Sequence, residues 1–200
     1  MSNLSKNDLK FIEHVKRHCK ELGVKCDIRN VSYVKLSSHT RCSGWFDSDN
    51  KLLVAAMNSP DGLGVLVHEY AHLTQWLDKI PMWEKTGNSL GLIDKWLSGK
   101  EVNDIEKHIS NARNLELDNE KRTVKLIKKW GLSIDVEEYV KKANAYVIFY
   151  TWMLITRKWS KPNNSPYKNE RVLEVMSPKF NMGYSKISKK VLKVFTEENI

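Results

Sequence analysis

The sequence of 200 residues is poor in cysteine, with three, and has only five prolines and nine glycines. Cys19, Cys26 and Cys42 are odd in number and form no C-x-x-C pair. This pattern fits reduced thiols in a cytosolic protein better than it fits a disulfide framework. The first ten residues contain no apolar signal core, so we expect no secretion by the usual route. We therefore expect the protein in the cytoplasm.

Long hydrophobic runs are also missing. The most apolar stretch covers Ala145 to Ile155, about half of the roughly 20 residues that a helix needs to cross a bilayer. We expect this stretch to form a buried helix and the protein to have no membrane partner. With 41% hydrophobic and 28% charged residues, the chain can bury a core. We expect residues 1–200 to form one domain, with a core at about residues 24–131 and C-terminal helices 132–200 packed on it.

Acidic residues are in the minority: 33 Lys and Arg face 24 Asp and Glu, which gives a formal charge of +9. Such an excess attracts nucleic acid or acidic proteins. The lysines are spread along the chain, however, and no DNA-reading motif accompanies them. A solvated basic surface with a protein or peptide partner is therefore favoured, and nucleic acid is the alternative partner.

The apolar spacing predicts an α+β domain. Residues 4–22 have helical periodicity, and residues 24–36 alternate as a strand or a hairpin does. A second hairpin has the arms Arg41–Phe46 and Lys51–Met57, joined by the turn "DSDN". Further helices are expected at about residues 59–78 (with Ser59 as the cap), 102–130, 136–159 and 185–198. The predicted fold is mostly helical, with a small antiparallel sheet packed on the helix 59–78.

The stretch "GVLVHEYAHLTQW" carries the main chemical signal. It places His68 and His72 four residues apart, so in a helix both imidazoles project from one face and can converge on Zn²⁺. Glu69 lies about 100° further round the helix, where a general base belongs rather than a third ligand. Polar residues buried in so apolar a helix need compensation, which a metal supplies. The alternative is a surface helix with incidental histidines.

The motif "HEYAH" resembles the active-site helix of zinc metallopeptidases of the zincin type, and the hairpin ending "KLLVAAM" resembles the edge strand before that helix. In that fold an extended substrate adds a strand to the sheet edge. The metzincin continuation is absent, since Gln75 and Asp78 stand where its glycine and histidine would. The similarity is therefore to gluzincins, and loosely to ImmA/IrrE-like and phage-encoded metallopeptidase-like proteins. It implies a zincin-like domain, which would act in the host cytoplasm if a virus encodes it.

The resemblance also implies a third ligand. Gluzincins take a glutamate from a later helix, followed four residues on by an acid that orients a histidine. In "NARNLELDNEKRTVKLI" the matching residues are Glu116 as the ligand and Glu120 as the second acid. The second position is usually aspartate, so the reverse assignment, with Glu120 as the ligand, stays open. Ordinary surface charge is the alternative for both glutamates.

The implied function is that of a zinc metalloendopeptidase. Zinc held by His68, His72 and Glu116 would activate a water, and Glu69 would take its proton. The donor to the oxyanion is open among four residues: His108, Tyr146, Tyr150 and Tyr184. The alternative function is a catalytically silent zincin-fold binding or regulatory protein that uses its basic surface for protein or nucleic-acid partners.

Overall fold

The computed structural model describes residues 4–36, 41–161 and 164–200. It confirms an α+β chain that is mostly helical. The chain divides into two compact units, one of residues 1–79 with 122–135 and one of residues 80–121 with 136–200. Helix α5 (Ile105–Trp130) contributes to both. The single domain over residues 1–200 stays a prediction.

In the first unit, helix α1 (Lys6–Glu21) precedes the strands in the sequence and helix α2 (Gly62–Leu77) follows them. The strands are β1 (Lys25–Arg29), β2 (Val34–Lys35), β3 (Arg41–Cys42), β4 (Gly44–Asp47) and β5 (Leu52–Ala56). Helix α1 begins with a capping box, in which Ser5 and Asp8 each accept the other's backbone N–H. Asp8 is fully buried and also accepts the backbone N–H of Ser133. This carboxylate therefore joins the start of α1 to the segment after α5.

The sheet has the strand order β1-β5-β4, and β2 pairs separately with β3. Strands β4 and β5 form the predicted antiparallel hairpin, and the Asp47 side chain accepts the backbone N–H of Asp49 and Asn50 in its turn. Strand β1 runs parallel to β5, so the prediction of an antiparallel sheet is wrong for this pair. Alternation in the sequence does not encode strand direction, and residues 30–51 are a connection long enough for a parallel crossover.

Three further details of the predicted elements are wrong. Strands β1 and β2 belong to different sheets, so residues 24–36 form no hairpin. Within the hairpin, the edge strand of the sheet is β4. Strand β5, which carries most of "KLLVAAM", is the central strand because β1 pairs on its other side. Helix α2 begins after Asp61 rather than at Ser59, because residues 59–62 form a turn in which the Gly62 N–H donates to the Ser59 carbonyl.

The sheet packs on α2, as predicted. Gly44 shows how close this packing is. A Cβ at Gly44 would lie 2.7 Å from the Val54 carbonyl oxygen and 2.7 Å from Cγ1 of Val65 on α2. Only glycine lets β4 approach the helix at this point.

The second unit is helical. Besides the first part of α5 it contains α3 (Pro81–Thr86), α4 (Ser89–Leu97), α6 (Val136–Thr156), a 3₁₀ turn (Pro166–Lys168), α7 (Glu170–Glu174) and α8 (Lys189–Glu197). Helix α6 is buried from Ala143 to Met153 with one half-buried position, Tyr146. This largely confirms the predicted buried helix, although Ile155 is 61% exposed. Among the residues described, no helix has the length and apolar character required to span a membrane.

Helix α8 is the predicted basic C-terminal helix, but it begins later, after a Ser188 cap. Its apolar side, Val191, Val194 and Phe195, is buried in the same core as α6. The lysines of α8 are exposed. The helix therefore docks by its apolar face, as its amphipathic pattern indicates.

Candidate metal centre

His68 and His72 lie on one face of α2, as their four-residue spacing requires. Both side chains are half-buried. Their ring centroids are 4.8 Å apart and the ring planes are nearly perpendicular, at 84°. Two imidazoles at this separation can direct one nitrogen each toward a common point.

Glu116 completes a group of three possible ligands. One ligand atom each from His68, His72 and Glu116 can be chosen so that all three lie within 4.8 Å of one another, and Glu116 is only 9% exposed. This group could hold a metal ion. Two imidazoles and one carboxylate are the donors of many catalytic zinc sites, although the same donors also suit other divalent transition metals.

A salt bridge holds the C-terminal half of α5 against the end of α2. The Arg122 Nη1 donates to Asp78 Oδ2 at 2.5 Å and more weakly to Thr74 Oγ1 at 3.4 Å. Asp78 caps the C-terminal end of the helix that carries the two histidines. Helix α5, which supplies Arg122 to this contact, also carries Glu116.

Gln75 orients one imidazole. The nitrogen Nδ1 of His72 lies 2.8 Å from Gln75 Oε1. Because a carbonyl oxygen only accepts, this contact assigns the proton to Nδ1 and leaves the Nε2 lone pair for a metal. Gln75 is completely buried, so it holds the ring without competition from water.

Glu69 faces the sheet. It is 8% exposed, and its Cγ lies 3.1 Å from the position that a Cβ on Gly44 would occupy. Cys42, two residues before Gly44, has a thiol pKa raised by burial and secondarily by the charge of Glu69. The glutamate therefore lies against β4 on the side that α2 presents to the sheet edge.

Glu120 has a different environment from Glu116. It is 4% exposed and accepts a hydrogen bond of 2.5 Å from the Tyr139 hydroxyl. The carboxyl that lies with the two imidazoles is that of Glu116. Which glutamate binds a metal, and whether Glu120 orients a histidine, stay predictions.

The charge of Glu116 affects the pKa of two tyrosines on α6. Burial raises the pKa of Tyr146 and of Tyr150, and the Glu116 charge raises both further. Their hydroxyls are 3.2 Å apart. Both phenols therefore stay protonated at neutral pH and can donate hydrogen bonds close to Glu116.

The other two candidates for the oxyanion donor have structural partners. The Tyr184 hydroxyl donates to Asn144 Oδ1 at 2.5 Å. His108 Nδ1 lies 3.1 Å from the Ser89 hydroxyl. Tyr146 and Tyr150 also have each other as partners, so the choice of the oxyanion donor among the four residues stays a prediction.

Gln75 and Gly44 were not predicted as parts of the site. Gln75 stands three residues after His72, and a hydrogen-bonding side chain at this spacing on a helix can reach the imidazole, which is a signal that could have identified it. Gly44 stands in the strand arm before the motif, and a glycine inside a strand often marks a close approach of another element.

Comparison of the chain with known proteins finds no similar protein. No family model matches the sequence, and neither curated proteins nor solved structures give a significant match. The candidate function therefore depends on the site itself.

Proposed function

We propose that this protein is a zinc-dependent metalloendopeptidase of zincin type, related to the gluzincins. One observation carries the proposal. His68, His72 and Glu116 bring possible ligand atoms within 4.8 Å of one another, and the residue after His68 is a buried glutamate. A purely structural metal site would need a fourth protein ligand and would have no use for that glutamate.

The donor set fits zinc. Two neutral imidazoles and a carboxylate leave the ion open for a substrate or water, and Gln75 keeps the His72 proton on Nδ1. A bound Zn²⁺ supplies a Lewis acid, which polarises the scissile carbonyl and lowers the pKa of water to about 7. His68, His72 and Glu116 are the residues that would hold it.

Glu69 is the proposed general base. Its carboxylate would accept a proton from the attacking water and deliver it to the leaving amine. Burial against Gly44 keeps the side chain in a narrow space, which favours one orientation of the carboxylate.

The chain also supplies a place for the peptide. Strand β4 is the terminal strand of its sheet and passes directly over Glu69 at Gly44. An extended peptide that pairs with β4 would bring its backbone beside the general base. The donor of a hydrogen bond to the developing oxyanion would be one of four residues: His108, Tyr146, Tyr150 and Tyr184.

The substitution Glu69→Gln tests this proposal. The variant should bind zinc as the parent does but should lose cleavage by about 100-fold or more, as expected when a general base is removed. Cleavage is measured by mass spectrometry on a peptide library that contains all amino acids, and zinc is measured by elemental analysis.

The exposed Glu137, in the first turn of α6, provides a matched control. Glu137→Gln removes the same charge and should leave cleavage unchanged. A Glu69→Gln variant that cleaves at the parental rate would exclude Glu69 as the base. A parent protein that binds zinc but cleaves no peptide in the library would favour the binding-protein alternative.

A further inference from the structure

Arg113 is a buried cation whose protein partners are neutral. It lies on α5 and is 9% exposed. Its Nη1 donates to the Thr151 hydroxyl and its Nη2 to the Ser110 hydroxyl, both at 3.0 Å. The two contacts join neighbouring turns of α5 and the middle of α6, but they supply no negative charge.

The guanidinium retains unused donors. Its Nε is buried and has no hydrogen-bond partner among the residues described. Nη1 and Nη2 each carry a second N–H beyond the one that bonds a hydroxyl. Burial lowers the pKa of Arg113, and no acid opposes this effect. Within residues 4–36, 41–161 and 164–200, no carboxylate forms an ion pair with Arg113.

Such a cation is costly to the fold. A buried charge without a counter-ion loses its hydration and regains little of that energy from neutral hydroxyls. An apolar side chain could fill the space between α5 and α6 at lower cost. An arginine at this buried position is therefore better explained by an anion that is not part of the chain.

The geometry indicates the class of anion. The Nε–H and the adjacent Nη–H form one edge of the planar group, which matches the two oxygens of a carboxylate. Arg113 precedes Glu116 by three residues, so the two lie about 4.5 Å apart along the axis of α5 and on neighbouring faces. A carboxylate bound to Arg113 would therefore lie about one helical turn from Glu116, the proposed metal ligand.

We propose that Arg113 binds a carboxylate of the peptide substrate, so that the protein selects peptides with an acidic side chain or a free C-terminus near the scissile bond. This inference rests on the proposed function, because it assumes a peptide at Glu116. The net charge of +9 favours the approach of such acidic peptides to the protein.

The test measures binding rather than cleavage. Zinc-loaded Glu69→Gln protein is titrated by calorimetry with three tetra-alanine probes. One probe is acetylated and amidated, one is acetylated with a free C-terminal carboxylate, and one is blocked at both ends with a glutamate at the second position. At least one carboxylate probe should bind more tightly than the blocked neutral probe, and the tighter of the two identifies the source of the carboxylate.

Adding Arg113→Gln should remove this preference, with a loss of about 30-fold or more in affinity for the preferred probe, as for other buried charge pairs that lose one partner. Arg171→Gln is the matched control. Arg171 is exposed and paired with Glu197 and Glu198, so its loss changes the net charge equally but should leave the preference intact.

Thermal unfolding separates ligand binding from a structural role. Arg113→Met should melt at or above the parental temperature without peptide, and the preferred probe should raise the Tm of the parent but not of this variant. The proposal is overturned if Arg113→Met melts lower while neutral and acidic probes bind the parent equally. It is also overturned if inorganic phosphate binds at Arg113 and neither carboxylate probe does. An Arg113-dependent preference in a protein that cleaves nothing would support the carboxylate site and refute only the peptidase function.

Discussion

Replacement of Gln75 by leucine should weaken zinc binding without removing a ligand. Gln75 Oε1 lies 2.8 Å from His72 Nδ1 and is the contact that assigns the imidazole proton. Leucine has a similar volume, so the completely buried position stays filled. The His72 ring would then lose the contact that holds its proton on Nδ1, and a proton on Nε2 would remove the lone pair that is available to a metal.

The magnitude follows from the effect of comparable contacts. Loss of a hydrogen bond that orients a metal-binding histidine costs about 10–100-fold in metal affinity, which corresponds to about 1.4–2.7 kcal/mol. The burial of Gln75 places the effect toward the upper end, since water has little access to replace the amide oxygen. Competition with a zinc-binding dye measures the dissociation constants of the parent and the variant.

A control separates this contact from general effects of the helix. Thr74 precedes Gln75 and donates its hydroxyl to the Ala71 carbonyl at 2.7 Å, away from the imidazole. Thr74→Ser keeps this hydroxyl and the weak hydrogen bond that it accepts from Arg122, so it should leave zinc affinity within about twofold of the parent. If Gln75→Leu folds normally and binds zinc with the parental affinity, the assignment of the His72 tautomer by Gln75 is wrong.

Two further predictions concern stability. Gly44→Ala places a Cβ 2.7 Å from the backbone oxygen of Val54 and should lower the free energy of unfolding by about 1–3 kcal/mol. Gly183→Ala is the control, because its Cβ meets nothing within 4 Å, and it should change the free energy of unfolding by less than about 0.5 kcal/mol. Equal urea midpoints for the two variants would refute the close approach of β4 to α2. Burial lowers the pKa of His14 below 6.5, and the charges of His18, Arg17 and Lys129 lower it further. The folded state therefore favours the neutral ring and loses stability as the pH falls from above 6.5 through the lower pKa of the folded state. His14→Gln should flatten this loss in urea unfolding at pH 7.5 and pH 5.5, and an unchanged difference between the two pH values would contradict it.

The features that depend on local periodicity were predictable from the sequence. His68 and His72 share a face because any α-helix places i and i+4 together, and the β4–β5 hairpin follows from the turn residues around Asp47. The apolar stretch of α6 was identified as buried because it has few polar positions. In each case the information lies within about one element of chain.

The remaining features depend on packing between distant segments. The parallel pairing of β1 with β5 requires knowledge of how residues 30–51 return, and alternation contains no such information. Glu116 and Glu120 lie on the same helix face one turn apart, so only the position of α5 along its axis places Glu116 rather than Glu120 with the imidazoles. Arg113 has the sequence context of a surface arginine, and its burial arises from the contact with α6.

The most direct test of the account is the zinc content of the purified chain and of its glutamate variants. After dialysis against buffer with trace zinc, elemental analysis should find about one zinc per parental chain, as for a single catalytic site. Glu116→Ala should lose the metal while circular dichroism shows an intact fold, and Glu120→Ala should retain it. A parental chain without zinc, or a Glu116→Ala variant that binds as much zinc as the parent, would contradict the proposed metal centre.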